Sequence, residues 1–272
     1  MSKRISDLVI ISDVDGTLIH HGESIPQRNF DALERFTKGG GRFGIATGRS
    51  LPYTSRLVAR VPVNLPCVLL NGGAIYDFSA DRFLVEQFLP KAAEDYLRQI
   101  HETFPEIGLM IVNPDDYYDV NKEKNASQMS RAGVIRKFTS SVIDEVGAPW
   151  YKIIFLVSAE QGNALREYIA RQAFRGVRFV YTSGVMYEMI PEASTKANAL
   201  MKLMELEGIS RENIIAIGDY YNDIDMIRMA GLGVTVPEAP EEVLAAADLV
   251  VGPCADGCLA DLVEHLEQLY AY

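Results

Sequence analysis

Along the chain, short β-branched runs alternate with stretches in which apolar residues recur every three or four positions. LVIISDV is followed by PQRNFDALERFTKGGG, RFGIATG, LPYTSRLVARV and PCVLLNGG. Runs of Val, Ile and Leu without polar alternation suit strands buried on both faces, and helices between such strands cover a parallel sheet. In the first helical stretch Phe30, Leu33 and Phe36 recur at helical spacing, and Gly39 to Gly41 supply the stop. Because these glycines precede a strand instead of following one, GGGRFG reads as a helix cap and not as a dinucleotide loop. The pattern predicts an α/β fold built on a doubly wound parallel sheet.

The same rhythm returns toward the C-terminus. STKANALMKLMELEG predicts a helix, NIIAIGD a strand, NDIDMIRMAG a helix, and GLGVTV and ADLVV two short strands. Residues 1–86 and 187–272 are therefore expected to form one discontinuous core domain. Between them, residues 87–186 change pattern: a helix (PKAAEDYLRQIHETF), a polar middle (NPDDYYDVNKEKNAS), an apolar strand (WYKIIFLV), a helix (AEQGNALREYIARQA) and FVYTSGVMYEMI. This reads as an inserted α/β domain entered and left near Phe78 to Leu89 and Ser183 to Pro191.

Composition narrows the function. A chain of 272 residues that is 48% hydrophobic can bury a sizeable core. No apolar run reaches the roughly 18 residues that span a bilayer, and MSKRISD does not open a signal peptide, so a cytoplasmic protein without a membrane partner is expected. The net charge of −11 repels phosphate backbones and no Lys/Arg stripe offsets it, which argues against a nucleic-acid partner. Of the three cysteines, Cys254 and Cys258 lie at C-x-x-x-C spacing without a second pair, so reduced thiols are expected. Asn125-Ala126-Ser127 has the form of a glycosylation site but lacks the secretory context. Nothing in the sequence speaks to oligomeric state.

Ligands of open parallel sheets bind beyond the carboxyl ends of the strands. Four such places carry polar residues: Asp13 and Asp15 after LVIIS, Thr47, Gly48 and Arg49 after FGIA, Asn71 and Gly72 after CVLL, and Asp219, Asn222 and Asp223 after IIAIG. The period-two alternation of a strand starts Asp13 and Asp15 on one face before Gly16 turns the chain. With Asp219 and Asp223, as many as four acids meet at one rim, an arrangement that needs a positive charge among them. Mg²⁺, with its preference for carboxylate oxygen and substrate phosphate, suits it. His20, His21, His101 and His265 are scattered or merely adjacent and do not make a softer metal site. Thr47, the Gly48 backbone, the helix start at Ser194 and Thr195, and Lys196 can face a phosphoryl group. Metal, donors and a carboxylate nucleophile together describe phosphoryl transfer through an aspartyl-phosphate. Each piece alone has a plain reading, as an Asx turn, a strand-ending turn, a solvated lysine or an N-cap; their order along the chain changes that.

At these residues the sequence resembles the haloacid dehalogenase-like phosphohydrolases, and within them the Cof-type branch with a large α/β cap (C2 type) inserted after the third strand. DVDGT (13–17), ATGRS (46–50), Lys196 in PEASTK and GDYYND (218–223) stand in the order of the four family motifs, and NGGAIYD (71–77) is similar to the stretch that leads toward the cap. The resemblance implies Asp13 as nucleophile and Mg²⁺ ligand. It implies Asp15 as acid and then base, with its carbonyl on the metal. Thr47 and Lys196 would hold the phosphoryl oxygens, Gly48 and Arg49 would contact the phosphate, and Asp219, with Asn222 and Asp223, would complete the metal site. VPEAPEE replaces the Gly-Asn-Ala turn frequent in the branch, which puts contacts at the substrate mouth, near Pro237 and Glu238, in question.

The expected activity is an Mg²⁺-dependent phosphatase acting on a small phosphorylated metabolite, with a sugar phosphate favoured and pyridoxal phosphate, flavin mononucleotide or a nucleotide as alternatives. The cap would select the leaving group, through Asp115 to Asn125 or Ser183 to Tyr187. A phosphotransferase or mutase uses the same residues. A non-catalytic phosphate sensor would lack a motif acid, and none is missing.

Overall fold

The computed structural model describes residues 3–20, 25–114, 117–120, 138–139, 143–183 and 186–271. His21, the sequon at residues 125–127 and all but residues 117–120 of the stretch 115–125 lie outside them, as do residues 184 and 185. The chain divides into two compact units, Met1–Glu86 with Thr195–Tyr272, and Gln87–Ser194.

The first unit is built on strands β1 (Val9–Ser12), β2 (Arg42–Ile45), β12 (Ile214–Ile217), β13 (Leu232–Thr235) and β14 (Leu249–Val250), in the order β14-β13-β12-β1-β2. All neighbours are parallel: Val9 lies opposite Ile214 on one side and Arg42 on the other, and Ser12 opposite Ile217 and Ile45. β1 and β12 are buried at every position, the signature of strands covered on both faces. On one face Val9, Ile11, Ile214 and Ala216 pack with Leu200 and Leu203 of the helix Lys196–Glu207 and with Met226. The helix Gln27–Lys38 buries Ala32, Leu33 and Phe36 and ends at Gly39, and it packs against the C-terminal helix Cys258–Leu269. Phe30, which shares the helical spacing, is only partly buried.

The third strand departs from the sequence expectation. β3 (Cys67–Leu69) meets the parallel sheet through one bridge, Ala46 to Val68. It belongs instead to an antiparallel meander with β4 (Ala74–Asp77) and β5 (Arg82–Glu86). The tight Asn71 to Gly73 turn reverses the chain before it can cross over, which period and composition alone do not disclose.

The second unit carries a six-stranded sheet of β6 (Gly108–Val112), β7 (Tyr117–Asp119), β8 (Phe138–Thr139), β9 (Lys152–Leu156), β10 (Val177–Ser183) and β11 (Met186–Pro191), ordered β10-β11-β9-β6-β7-β8. Leu97 and Ile100 of the helix Ala92–Thr103 and Leu165 of the helix Ala159–Ala170 pack on Leu109, Ile111, Ile153, Phe155 and Met189. Ser158 starts the latter helix with a capping box to Gln161. Strand alternation puts Lys152 and Glu188 on the other face, where their side chains are almost fully buried and paired at 2.8 Å. The stretch Ser183 to Pro191, expected as a linker, is mostly strand β11. Its antiparallel pairing with β9 and β10 draws residues 187–194 into this unit, so the boundary falls after Ser194.

Among the described residues no helix is long and apolar enough to cross a membrane.

Candidate active site

β1 ends where its sequence turns acidic. The Asp13 N–H donates to Ile217 O at 2.9 Å, one residue past the paired strands, which keeps Asp13 beside the end of β12. Asp13 is 6% exposed. Gly16 follows in the left-handed region at φ +88°, and a Cβ there would stand 2.3 Å from Asp219 Oδ2, so both the turn and the close approach require glycine. Thr17, fully buried, donates from Oγ1 to Asp219 Oδ1 at 2.9 Å.

Lys196 is the first residue of its helix, behind the N-cap Thr195, whose side chain accepts the Asn198 N–H at 2.9 Å. Its ammonium is 1% exposed as a residue and donates to Asp13 Oδ1 and, at 2.6 Å, to Asp223 Oδ1. The other oxygen of Asp223 accepts the N–H groups of Asp219 and Tyr220 at 3.2 and 3.1 Å. Lys196 is thereby bracketed by two carboxylates from different strand ends. Gly72, at φ +97°, lets the NGG turn lie against this helix start: a Cβ would fall 2.2 Å from Thr195 O.

Thr47 follows the end of β2 and is held by its backbone, its N–H donating to Val68 O (2.9 Å) and its carbonyl accepting from Asn71 (3.0 Å). Its hydroxyl oxygen accepts the Arg49 N–H at 3.1 Å. Gly48 sits against the Asn71 side chain.

Oxygens of Asp13, Asp219 and Asp223 lie within 4.8 Å of one another. Asp15 is not among them. Its carboxylate is about half exposed and takes a two-pronged contact from Arg49, Nε at 2.9 Å and Nη2 at 2.5 Å. Although both acids follow β1, the Asp15 carboxylate pairs with Arg49, while that of Asp13 lies with Asp219 and Asp223. Asn222 donates from Nδ2 to Asn71 Oδ1 at 3.1 Å. Thr17 and Asn71 were given no role by the sequence argument. Position inside DVDGT points to Thr17, and Asn71 stands among the polar residues that follow a strand run, although its left-handed φ of 56° is not visible in the sequence.

Burial pushes the Asp13 carboxyl well up from its ordinary value, against the pull of Lys196. Asp219 rises to about 6, chiefly through burial and then through the charge of Asp223. For Lys196, burial alone would lower the pKa, but Asp13 and Asp223 outweigh it and hold the ammonium charged. Acids that resist ionisation in this way are calling for more positive charge than Lys196 supplies. The donor set, all carboxylate oxygen with no His or Cys, fits a hard divalent cation such as Mg²⁺.

The family model of the haloacid dehalogenase-like hydrolases matches residues 10–263, spanning every motif residue above. The chain belongs to the haloacid dehalogenase-like hydrolases. Among curated relatives, the pyridoxal phosphate phosphatase YbhA of Escherichia coli is 24% identical over 94% of this chain and 97% of its own length. The 5-amino-6-(5-phospho-D-ribitylamino)uracil phosphatase YitU of Bacillus subtilis is 24% identical over 88% of this chain and 90% of its own. The crystal structure of a haloacid dehalogenase-like hydrolase from Bacteroides thetaiotaomicron superposes with a TM-score of 0.84 at 24% identity, over 95% of this chain and 99% of that one, and shares its fold.

Proposed function

We propose that this hydrolase is an Mg²⁺-dependent phosphatase of small phosphorylated metabolites that works through an aspartyl-phosphate on Asp13. The observation that carries the reading is the buried line Asp13, Lys196, Asp223 with Asp219 beside it, at the carboxyl ends of adjacent parallel strands. Phosphatase relatives of nearly the same length support it.

In this reading Asp13 attacks phosphorus, and Lys196 opposes the upward push of burial on that carboxyl and faces the charge that gathers on the phosphoryl oxygens. Thr47 offers its hydroxyl proton, since its oxygen already accepts from Arg49 N–H. Asp13, Asp219 and Asp223 would hold the cation together with the Asp15 carbonyl, and Asn222 orients the loop through Asn71. A bound divalent cation would supply Lewis-acid neutralisation of the charge on a phosphoryl group. Asp15 protonates the leaving oxygen and later takes a proton from the attacking water. The Arg49 contact has a direct consequence: the guanidinium must leave Asp15 before that carboxylate can work, and an incoming phosphate dianion is the partner that draws it off.

Selection of the leaving group is assigned to residues 87–194. The substrate is a phosphomonoester, with a sugar phosphate favoured and pyridoxal phosphate, flavin mononucleotide and nucleotides as the competing choices. The test is inorganic phosphate release from that panel with Mg²⁺ and with chelator. Cation-dependent release from at least one member is expected. Silence across the panel and with a generic aryl phosphate, or release that a chelator leaves untouched, overturns the proposal. Transfer to an added hydroxyl acceptor without phosphate release would identify a phosphotransferase.

A further inference from the structure

Cys254 and Cys258 take no part in the chemistry above, yet they meet at its edge. Cys254 opens the short turn Cys254–Asp256 and Cys258 opens the helix Cys258–Leu269, with Gly257 between them at φ +94°. Both Sγ atoms lie 3.2 Å from one acceptor, the carbonyl oxygen of Thr17. Both cysteines are free, buried thiols. The neighbouring Cys258 holds the Cys254 thiol below its ordinary value, against burial, and Cys258 itself is raised. Two thiols held on one acceptor oxygen stand as nucleophile and resolving group. Thr17 connects this pair to the acidic cluster: its carbonyl accepts the thiols while its hydroxyl donates to Asp219.

We propose that Cys254 and Cys258 form an oxidative modification site, converted by a hydroperoxide into a disulfide that withdraws both S–H donors from Thr17 and weakens cation binding at Asp219. The disulfide stands on the thiol geometry alone; its effect on the cation rests on the function proposed above. Cys254 sulfur, as thiolate, attacks one peroxide oxygen; the O–O bond breaks, and the leaving hydroxide takes a proton to become water. The sulfenic sulfur of Cys254 is then attacked by Cys258, the S–S bond forms, the S–O bond breaks and a second water leaves. The two thiols lose two electrons and two protons, and hydrogen peroxide is reduced to two waters. With the residues 2% and 0% exposed, the oxidant must be small, and bulky aromatic disulfide reagents should react only after unfolding.

The experiment treats the reduced full chain with hydrogen peroxide, then counts thiols after denaturation and measures Mg²⁺ affinity calorimetrically. Of three cysteines, one is expected to remain titratable, with the intact mass lower by two hydrogens and dithiothreitol restoring both thiols. Mg²⁺ should bind about tenfold more weakly to the oxidised protein, the usual scale for loss of a group that supports a metal ligand. Cys258→Ser, which keeps a hydroxyl donor for Thr17, should form no disulfide and should yield a sulfenic acid at Cys254 that dimedone traps when the treated chain is unfolded in its presence. Three thiols surviving a treatment that oxidises the urea-unfolded chain would overturn the site. A complete disulfide with Mg²⁺ affinity changed by less than about twofold would overturn the link through Thr17. If the reduced protein binds no Mg²⁺ at all, the cation reading fails with that link, while the thiol count still decides the disulfide.

Discussion

Replacing Lys196 by methionine tests the electrostatic centre of the site. Methionine keeps most of the side-chain volume and the helix-start position but leaves Asp13 and Asp223 facing each other without a cation. At 2.6 Å from Asp223, and at an effective dielectric of about 20, the lost attraction is about 6 kcal/mol before solvation is counted. Lys196 itself no longer has to be desolvated, and the two acids can take up protons, so the net loss falls in the range of about 3–5 kcal/mol seen when one partner of a buried pair is removed. For a unit of this size each kcal/mol moves the midpoint by about 2–4 °C, so the metal-free variant should melt roughly 10 °C below the parent. The assay is calorimetry of both proteins with chelator and with millimolar Mg²⁺. Because a divalent cation supplies the positive charge that methionine lacks, Mg²⁺ should raise the variant's midpoint by more than it raises the parent's. A variant that melts within about 2 °C of the parent in chelator would refute the reading, since Lys196 would then contribute no more than a solvated surface lysine.

Four further outcomes follow from the same geometry. Asp13→Asn should abolish phosphate release while the circular dichroism stays that of the parent, and normal turnover would sink the covalent route. Addition of Mg²⁺ to the parent at a hundredfold excess over its dissociation constant should stabilise the fold by about 2.7 kcal/mol, read as a midpoint shift that chelator reverses. Arg49→Ala should raise KM for phosphomonoesters by roughly 10- to 100-fold through loss of a charge-assisted contact worth about 1.5–3 kcal/mol, with steady-state kinetics as the check. In the second unit, Glu188→Gln removes the carboxylate paired at 2.8 Å with the Lys152 ammonium, 3% exposed, and should cost about 3–5 kcal/mol in denaturant unfolding. Burial pushes the Lys152 pKa down, but Glu188 and Tyr117 together outweigh it and hold it above the ordinary lysine value. The parent pair is therefore fully stabilising below that ordinary value and loses its contribution only as the pH rises past it, at the alkaline end.

The sequence by itself determined the elements and the chemistry at their ends. Continuous apolar runs mark β1, β2 and β12 because strands buried on both faces have no polar alternation, and the acids, Thr47 and Lys196 stand directly after those runs or at a helix start. The inserted second unit was legible from the change of rhythm after residue 86. Tertiary structure decided what those ends do to one another. The pairing of β1 with β12, some two hundred residues later in the chain, puts Asp13 beside Asp219 and Asp223, and Lys196 is buried between two of these acids. Asp15 turned to Arg49 instead of joining them, β3 left the parallel sheet for a meander, β11 moved the boundary to Ser194, and two cysteines converged on Thr17. The division has a physical cause: helix and strand formation follow the local spacing of apolar residues. Strand neighbours, desolvation and the balance of buried charge arise between residues far apart in sequence, and these exist only once the chain is folded.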